Sequence, residues 1–261
     1  MTATLRGGAV IVHPRMRSRR IAVRRSAGRR RLRRVLLALG AVTGLVGLYA
    51  LAWTPLLDVD EVRVRGGERM SPQVIAAASG IAPGDPMIQV DTGAGERRIE
   101  ELAWVREVRV QRVWPGTVRI EVKERSPVAV VQVTKSSAAL VDGTGRVLTI
   151  GQDVASSDLA VLTGVDGRVA EGERLPAKAR DAATVLGALV ERLPGQVAAM
   201  STDLEATLAD GGVVRFGTAD DLEDKLVATE TMLSDVSLAC LQVLDVRVPG
   251  NPTLTRHAGC S

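Results

Sequence analysis

Aromatic side chains are scarce in this chain, with one Phe, one Tyr and three Trp in 261 residues, and histidine and cysteine occur only twice each. These shortages remove function classes at once. His13 lies in an arginine-rich tail and His257 close to the C-terminus, so no Ser-His-Asp arrangement is indicated. Neither His-Glu-x-x-His nor Gly-x-x-x-x-Gly-Lys occurs, which leaves no zincin or P-loop signature. The acidic residues are scattered among strand charges, and the sequence nominates no pair for glycoside hydrolysis. One Tyr and one Phe are also too few to line a sugar cleft. Glycines cluster at turns, and none opens a phosphate-binding helix. The residues therefore nominate no catalytic, cofactor-binding or metal site.

Charge is abundant but segregated. Residues 1–34 hold twelve arginines and no acid or lysine, whereas the remainder carries 22 basic against 30 acidic residues, a net −8. The overall +4 describes neither part. The basic stretch has no aromatic residue on which a base could stack, so a nucleic-acid role is disfavoured. Residues 1–34 read as a disordered cytoplasmic tail whose expected contact is anionic lipid. Next comes Val35 to Leu57, 23 residues without a charge. As a helix this run spans about 34 Å, enough for a hydrocarbon core of about 30 Å. Pro55 interrupts it, so a transmembrane helix is expected over 35–54, with Tyr49 and Trp53 as interfacial aromatics. The arginines keep its N-terminal side cytoplasmic, the single-pass type II orientation. A cleaved signal peptide ending at Ala50-Leu51-Ala52 and a soluble buried helix are the alternatives. The long basic region and the length of the apolar run speak against the first, and the charge asymmetry against the second.

The body beyond the run alternates short strands with few helices, an α+β pattern. Val59, Val62 and Val64 alternate with charges up to Gly66-Gly67. Ser71 caps a helix with Pro72 at its first position and Gly80 as its stop. A second helix is expected over Glu96 to Leu102. The most informative stretch is "EVRVQRVWPGTVRIEVKERSPVAVV", Glu107 to Val131. Val108 and Val110 share one face of its first strand, and Val118, Ile120 and Val122 share one face of its second. Pairing Val110 with Ile120 and Val108 with Val122 keeps all five on one face. It also sets Arg109 opposite Glu121 and Glu107 opposite Lys123. That register predicts a loop of three to five residues centred on Pro115. Trp104 and Trp114 bracket the first strand and read as core or rim packing.

From Ser126-Pro127 strands dominate. Hairpins are expected through Asp142–Gly145 and Asp210–Gly212. A helix is expected over Ala177 to Leu193, with Val185, Leu186, Leu189, Val190 and Leu193 on one face. Thr218 and Asp221 form a capping-box pattern for a helix to about Leu233. "CLQVLDVRVPGNPTLTR" closes the body as strand, turn and strand, with Val248 expected near Thr253. That pairing brings Cys240 close to Cys260. Both cysteines would face an oxidising compartment, and three states stay open. They are a disulfide, two free thiols, and a metal site with His257 that lacks a fourth ligand and normal spacing.

A basic tail, one apolar run, a strand-helix-helix-strand-strand module and a strand-rich remainder together resemble the FtsQ/DivIB family of bacterial cell-division proteins. The match is carried by Arg112, Trp114, Pro115, Val118, Ile120, Val122, Glu124, Arg125, Pro127, Val128 and Ala129. It continues at Arg215-Phe216-Gly217, at Lys225-Leu226 and at "VLDVRVPGNP", covering essentially Arg29 to Arg256. The resemblance implies a POTRA domain over 57–125, an FtsQ-type β domain over 126–256 and a C-terminal tail over 257–261. It also implies a non-enzymatic scaffold of the division septum that needs no cofactor. Its partners would be FtsB/FtsL-type (DivIC/FtsL) bitopic proteins and the septal peptidoglycan synthesis machinery, met at the plasma membrane.

Strand addition to an open sheet edge would suit such a role. The expected edge comprises Val246, Arg247, Val248, Pro249, Gly250, Thr253, Leu254 and Thr255. The chain departs from many members in having Val248 where Tyr is common, and Pro249 and Pro252 limit backbone donors there. Two other classes stand beside this reading. A POTRA-bearing assembly or secretion factor normally carries several such modules or a membrane barrel. An anchored cell-wall enzyme would require activity on peptidoglycan.

Overall fold

The computed structural model describes residues 32–47, 49, 57–234 and 236–259. Helix α1 covers residues 32–47, and residue 49 is also helical. Among the described residues no helix is long and apolar enough to cross a membrane. The span expected over 35–54 continues into residues 48 and 50–54, which lie outside the described ones, as does the basic tail before Leu32.

The first folded unit is β1 (Glu61–Arg65), α2 (Pro72–Ser79), α3 (Thr92–Glu100), β2 (Val105–Val113) and β3 (Thr117–Glu124). Its sheet has the order β1-β3-β2, with β1 parallel and β2 antiparallel to β3. The hairpin register is the one the valines require: Val108 pairs with Val122, Val110 with Ile120, Arg109 with Glu121 and Glu107 with Lys123. Slipping by one residue would turn Val118, Ile120 and Val122 out of the core, where all three are buried. The loop is Trp114–Gly116, and the Trp114–Pro115 peptide is cis.

Helix α2 starts at Ser71, whose side chain accepts from Val74 N–H, and stops at Gly80 in the left-handed region. Helix α3 starts four residues before the expected Glu96. Asp91 caps it by accepting from Ala94 N–H at 2.9 Å. Gly93 and Gly95 hide this start from a propensity reading, yet Gly95 is where α3 packs against Ile81. The two helices and the sheet close around Ile75, Met87, Ile99, Val110, Val118 and Ile120.

The second unit is built on nine strands: β4 (Pro127–Gln132), β5 (Ala138–Asp142), β6 (Val147–Gly151), β7 (Ala160–Thr163), β8 (Val197–Ser201), β9 (Glu205–Leu208), β10 (Val213–Arg215), β11 (Leu241–Asp245) and β12 (Thr253–Arg256). They run in the order β12-β11-β10-β9-β8-β7-β4-β5-β6. Helix α4 (Ala177–Arg192) and helix α5 (Leu222–Ser234) supply the apolar surface that covers one face. Of the expected face of α4, Val185, Leu186 and Leu189 are fully buried, and Val190 packs at the margin. The chain's single Phe, Phe216, is fully buried.

Thr218 does not cap α5. The helix begins at Leu222, after Asp221 in the left-handed region. Thr218 instead accepts from the buried Lys225, whose Nζ lies 2.9 Å from its carbonyl and 3.1 Å from its hydroxyl. A buried ammonium needs such acceptors more than the helix start needs a cap.

The two units meet at Arg125. Its backbone N–H donates to the Trp104 carbonyl at 2.8 Å and its Nε to the Val105 carbonyl at 2.9 Å. Its guanidinium meets Asp142 of β5 at 2.8 Å. Asp142 also accepts from Thr144 N–H and Oγ1 and from Arg146 N–H. Burial alone would raise the Asp142 carboxyl. The hydrogen bonds from Arg125, Arg146 and Thr144 outweigh it and hold the carboxyl below its ordinary range. Arg146 adds a second tie, donating to the Glu101 carbonyl at 3.2 Å.

Candidate partner-binding edge

Strand β12 ends the nine-stranded sheet and pairs only with β11. The register sets Asp245 opposite Thr253, Leu244 opposite Leu254 and Val243 opposite Thr255. The residues between, 246–252, form a wider connection than the expected pairing of Val248 with Thr253. Arg247 folds back at the start of this connection. Its N–H and Nε donate to Asp245, and its terminal nitrogen lies 2.6 Å from the same carboxylate. The chain leaves the sheet after Val246, whose N–H still bonds the Arg215 carbonyl of β10.

The expected edge residues fall into three groups. Val246 is fully buried, and its N–H donates to the Arg215 carbonyl at 3.0 Å, so it belongs to the core. Arg247, Val248, Pro249 and Gly250 form the turn, with Val248 63% exposed. Thr253 and Thr255 are exposed on β12, while Leu254 is half-buried against the core. A shallow groove of about 410 Å³ runs between Asp245, Arg247, Val248, Asn251 and Thr253.

The backbone of β12 is the main chemical asset of this region. His257 N–H donates to the Cys240 carbonyl at 3.0 Å, so the odd-numbered residues face β11. Alternation then turns the N–H and C=O of Leu254 and Arg256 outward. Asp245 is held below the ordinary carboxylate range, chiefly by the hydrogen bond from Arg247, and the same contact raises Arg247. The turn carries a fixed ion pair beside two free backbone donors. An outward-facing backbone of this kind is chemically suited to an extended segment.

Support for the turn comes from Gly217 and Lys225, which the sequence marked only as part of the family resemblance and not as part of the edge. A Cβ on Gly217 would come within 2.8 Å of the Arg247 side chain, and this glycine has φ +72°. Lys225 holds the following residue, Thr218, from beneath. Cys240 precedes β11 and is disulfide-bonded. It faces His257 across the ladder, and Cys260 lies outside the described residues. Among the described residues no group of His, Cys, Asp and Glu could hold a metal ion.

The other nominated residues lie in the first unit's hairpin. Val110, Val118, Ile120 and Val122 are buried and Val108 is half-buried. Trp114 and Pro115 are exposed at the tip, so Trp114 is not a core residue. Trp104 is half-buried, with the Arg69 guanidinium 5.0 Å from its ring centre.

A βααββ module followed by a strand-rich mixed α/β domain defines the class of architecture to which the chain belongs. Residues 57–125 match the family described as POTRA domain, FtsQ-type, and residues 129–247 match Cell division protein FtsQ/DivIB, C-terminal. The chain belongs to the FtsQ/DivIB family of cell-division proteins. It is 29% identical to Cell division protein FtsQ of Corynebacterium glutamicum, over 76% of this chain and 90% of the relative. Identity to the protein of that name from Mycolicibacterium smegmatis is 31%, over 78% of this chain and 59% of the relative. For that from Streptomyces collinus it is 29%, over 87% of this chain and 90% of the relative.

Proposed function

We propose that this chain is a bitopic scaffold of the division septum. A span over 35–54 holds it in the plasma membrane with the arginine tail in the cytoplasm. Outside the cytoplasm, the POTRA domain over 57–125 and the β domain over 126–256 contact other division proteins. The apolar side chains of α1 support the span: Leu36, Leu37 and Leu45 are all exposed, on a helix that carries no charge from Val35 onward. Such a helix requires an apolar environment.

The β12 edge receives an extended segment of an FtsB/FtsL-type bitopic partner by strand addition, with Val248, Thr253, Leu254 and Thr255 beside the incoming chain. The chain thereby couples septum assembly to the peptidoglycan synthesis machinery without catalysing a reaction. A disulfide between Cys240 and Cys260 would tie the residues after β12 to the start of β11. The observation that carries the reading is the outward-facing backbone of Leu254 and Arg256 in a chain of this family. Thr253→Pro and Leu254→Asp are expected to abolish partner pull-down and septal enrichment of a fluorescent fusion. Normal binding by either variant, with wild-type circular dichroism, overturns the edge.

A further inference from the structure

The POTRA unit exposes three large apolar side chains among the described residues: Val74, Ile88 and Trp114, at 51%, 57% and 53%. Two of them stand where the chain enters the fold. The Leu57 carbonyl accepts from Met87 N–H at 2.9 Å, which places Ile88 beside the end of the apolar run. Asp60 and Glu61 N–H both donate to the Gly116 carbonyl, at 2.6 and 3.3 Å, which pins the hairpin tip to the same place. A Cβ on Gly116 would overlap the Asp60 carboxylate and lie 3.0 Å from the Asp58 carbonyl, which shows how closely the tip approaches the incoming chain. Arg112 joins the two loops by donating to the Met87 carbonyl at 3.4 Å.

Alternation along β2 puts Arg112 and Trp114 on the face that carries Val110. Trp114 therefore extends this face past the last core residue, toward the incoming chain. From Trp53 to Leu57 the chain can reach at most about 14 Å at 3.3–3.6 Å per residue. The headgroup layer on each side of the hydrocarbon is roughly 5–8 Å deep. An indole, apolar in body with one N–H at its edge, suits that layer.

We infer that Trp114 and Ile88 form a membrane-facing rim that seats this end of the POTRA unit in the headgroup layer of the bilayer the chain spans. The inference rests on the proposed span over 35–54. The segments tied together at this end carry Asp58, Asp60 and Asp85 beside Arg112, which does not make the rim a basic patch, so the lipid contact is interfacial and not electrostatic. Zwitterionic lipid is sufficient, and anionic lipid adds nothing. The rim limits the tilt of the POTRA unit on its short tether and so directs the β domain away from the surface.

The test uses the full chain in zwitterionic nanodiscs with brominated acyl chains, in two single-tryptophan versions. One retains Trp114 (Trp53→Phe, Trp104→Phe) and the other retains Trp53 (Trp104→Phe, Trp114→Phe). Both tryptophans are expected to be quenched, with Trp114 emission shifted to shorter wavelength than in detergent-free buffer peptides. Quenching of Trp53 alone overturns the rim and leaves the span intact. Absence of quenching at both positions overturns the span and the rim with it. Stronger Trp114 quenching on adding anionic lipid overturns the interfacial assignment. Trp114→Ala in the otherwise intact chain changes only an exposed position, and the quenchable emission it removes gives a second reading free of core substitutions. No loss of quenchable emission in that variant also overturns the rim.

Discussion

In the three-stranded sheet the outer strand β2 meets a carboxylate: Glu96 on α3 accepts the outward Val110 N–H at 2.8 Å. In the nine-stranded sheet the outer strand β12 meets no such group among the described residues. The opposite end of that sheet is guarded, since Val147 N–H donates to the Glu173 carbonyl and Gly172 N–H to the Val147 carbonyl. The remaining outer strand, β1, has five residues with Glu61, Arg63 and Arg65 among them, a short and charged edge. Unguarded edges invite pairing, and proteins ordinarily blunt them. Three edges here are blunted, and among the described residues only the β12 edge carries no such guard, which is the contrast behind the proposed partner edge.

The comparison breaks most visibly if one unit can be damaged without the other. Phe216→Ala, at a fully buried site, should cost about 3–5 kcal/mol. Calorimetry of the variant should lower the β-domain transition and spare that of the POTRA unit. A single transition shifted as a whole would show that the Arg125 joint couples the two.

The joint itself is next in size. Arg125→Ala leaves Asp142, 4% exposed, without its cation and should cost about 3 kcal/mol. The sign of the pH effect follows from the lowered Asp142 carboxyl. A folded value below the unfolded value of about 3.9 contributes stability that is present above about pH 4. That stability is lost as pH falls through the folded value. Denaturant unfolding between pH 6 and 2 should therefore fall less steeply in Asp142→Asn than in the wild type, in a window below about pH 4.

Glu96→Ala sharpens the contrast between the edges. Loss of the Val110 bond should cost about 1–2 kcal/mol. It also opens β2, so sedimentation should detect more self-association than in the wild type. The smallest effect is expected of Arg247→Ala. Its pair with Asp245 is surface-exposed, so the melting midpoint should be unchanged, while partner binding weakens because the turn is released.

Much of the POTRA unit was legible from residues alone. Five apolar side chains at period two admit only one register of the hairpin, and Ser71, Pro72 and Gly80 mark both ends of α2. The start of α3 was hidden because Asp91 is followed by glycines that lower helix propensity but permit close packing. Thr218 and Asp221 matched a capping box, yet a buried ammonium four residues further on claimed Thr218. In the edge, the strand at Thr253–Leu254–Thr255 was readable, whereas the burial of Val246 was not. Its side chain follows a strand that ends one residue earlier than the apolar pattern does, once Arg247 binds Asp245.

By itself the sequence determined the segregation of charge, the apolar run, the α+β class and the hairpin register, since each follows from local periodicity or from a count. The tertiary structure alone decided which edges are guarded. Glu96 and Val110, Glu173 and Val147, and Arg125 and Asp142 are separated in the chain, and they meet only because packing of the two cores brings their strands and helices together. Strand periodicity reveals which side chains are buried, but it carries no record of what lies beside an outer strand's backbone.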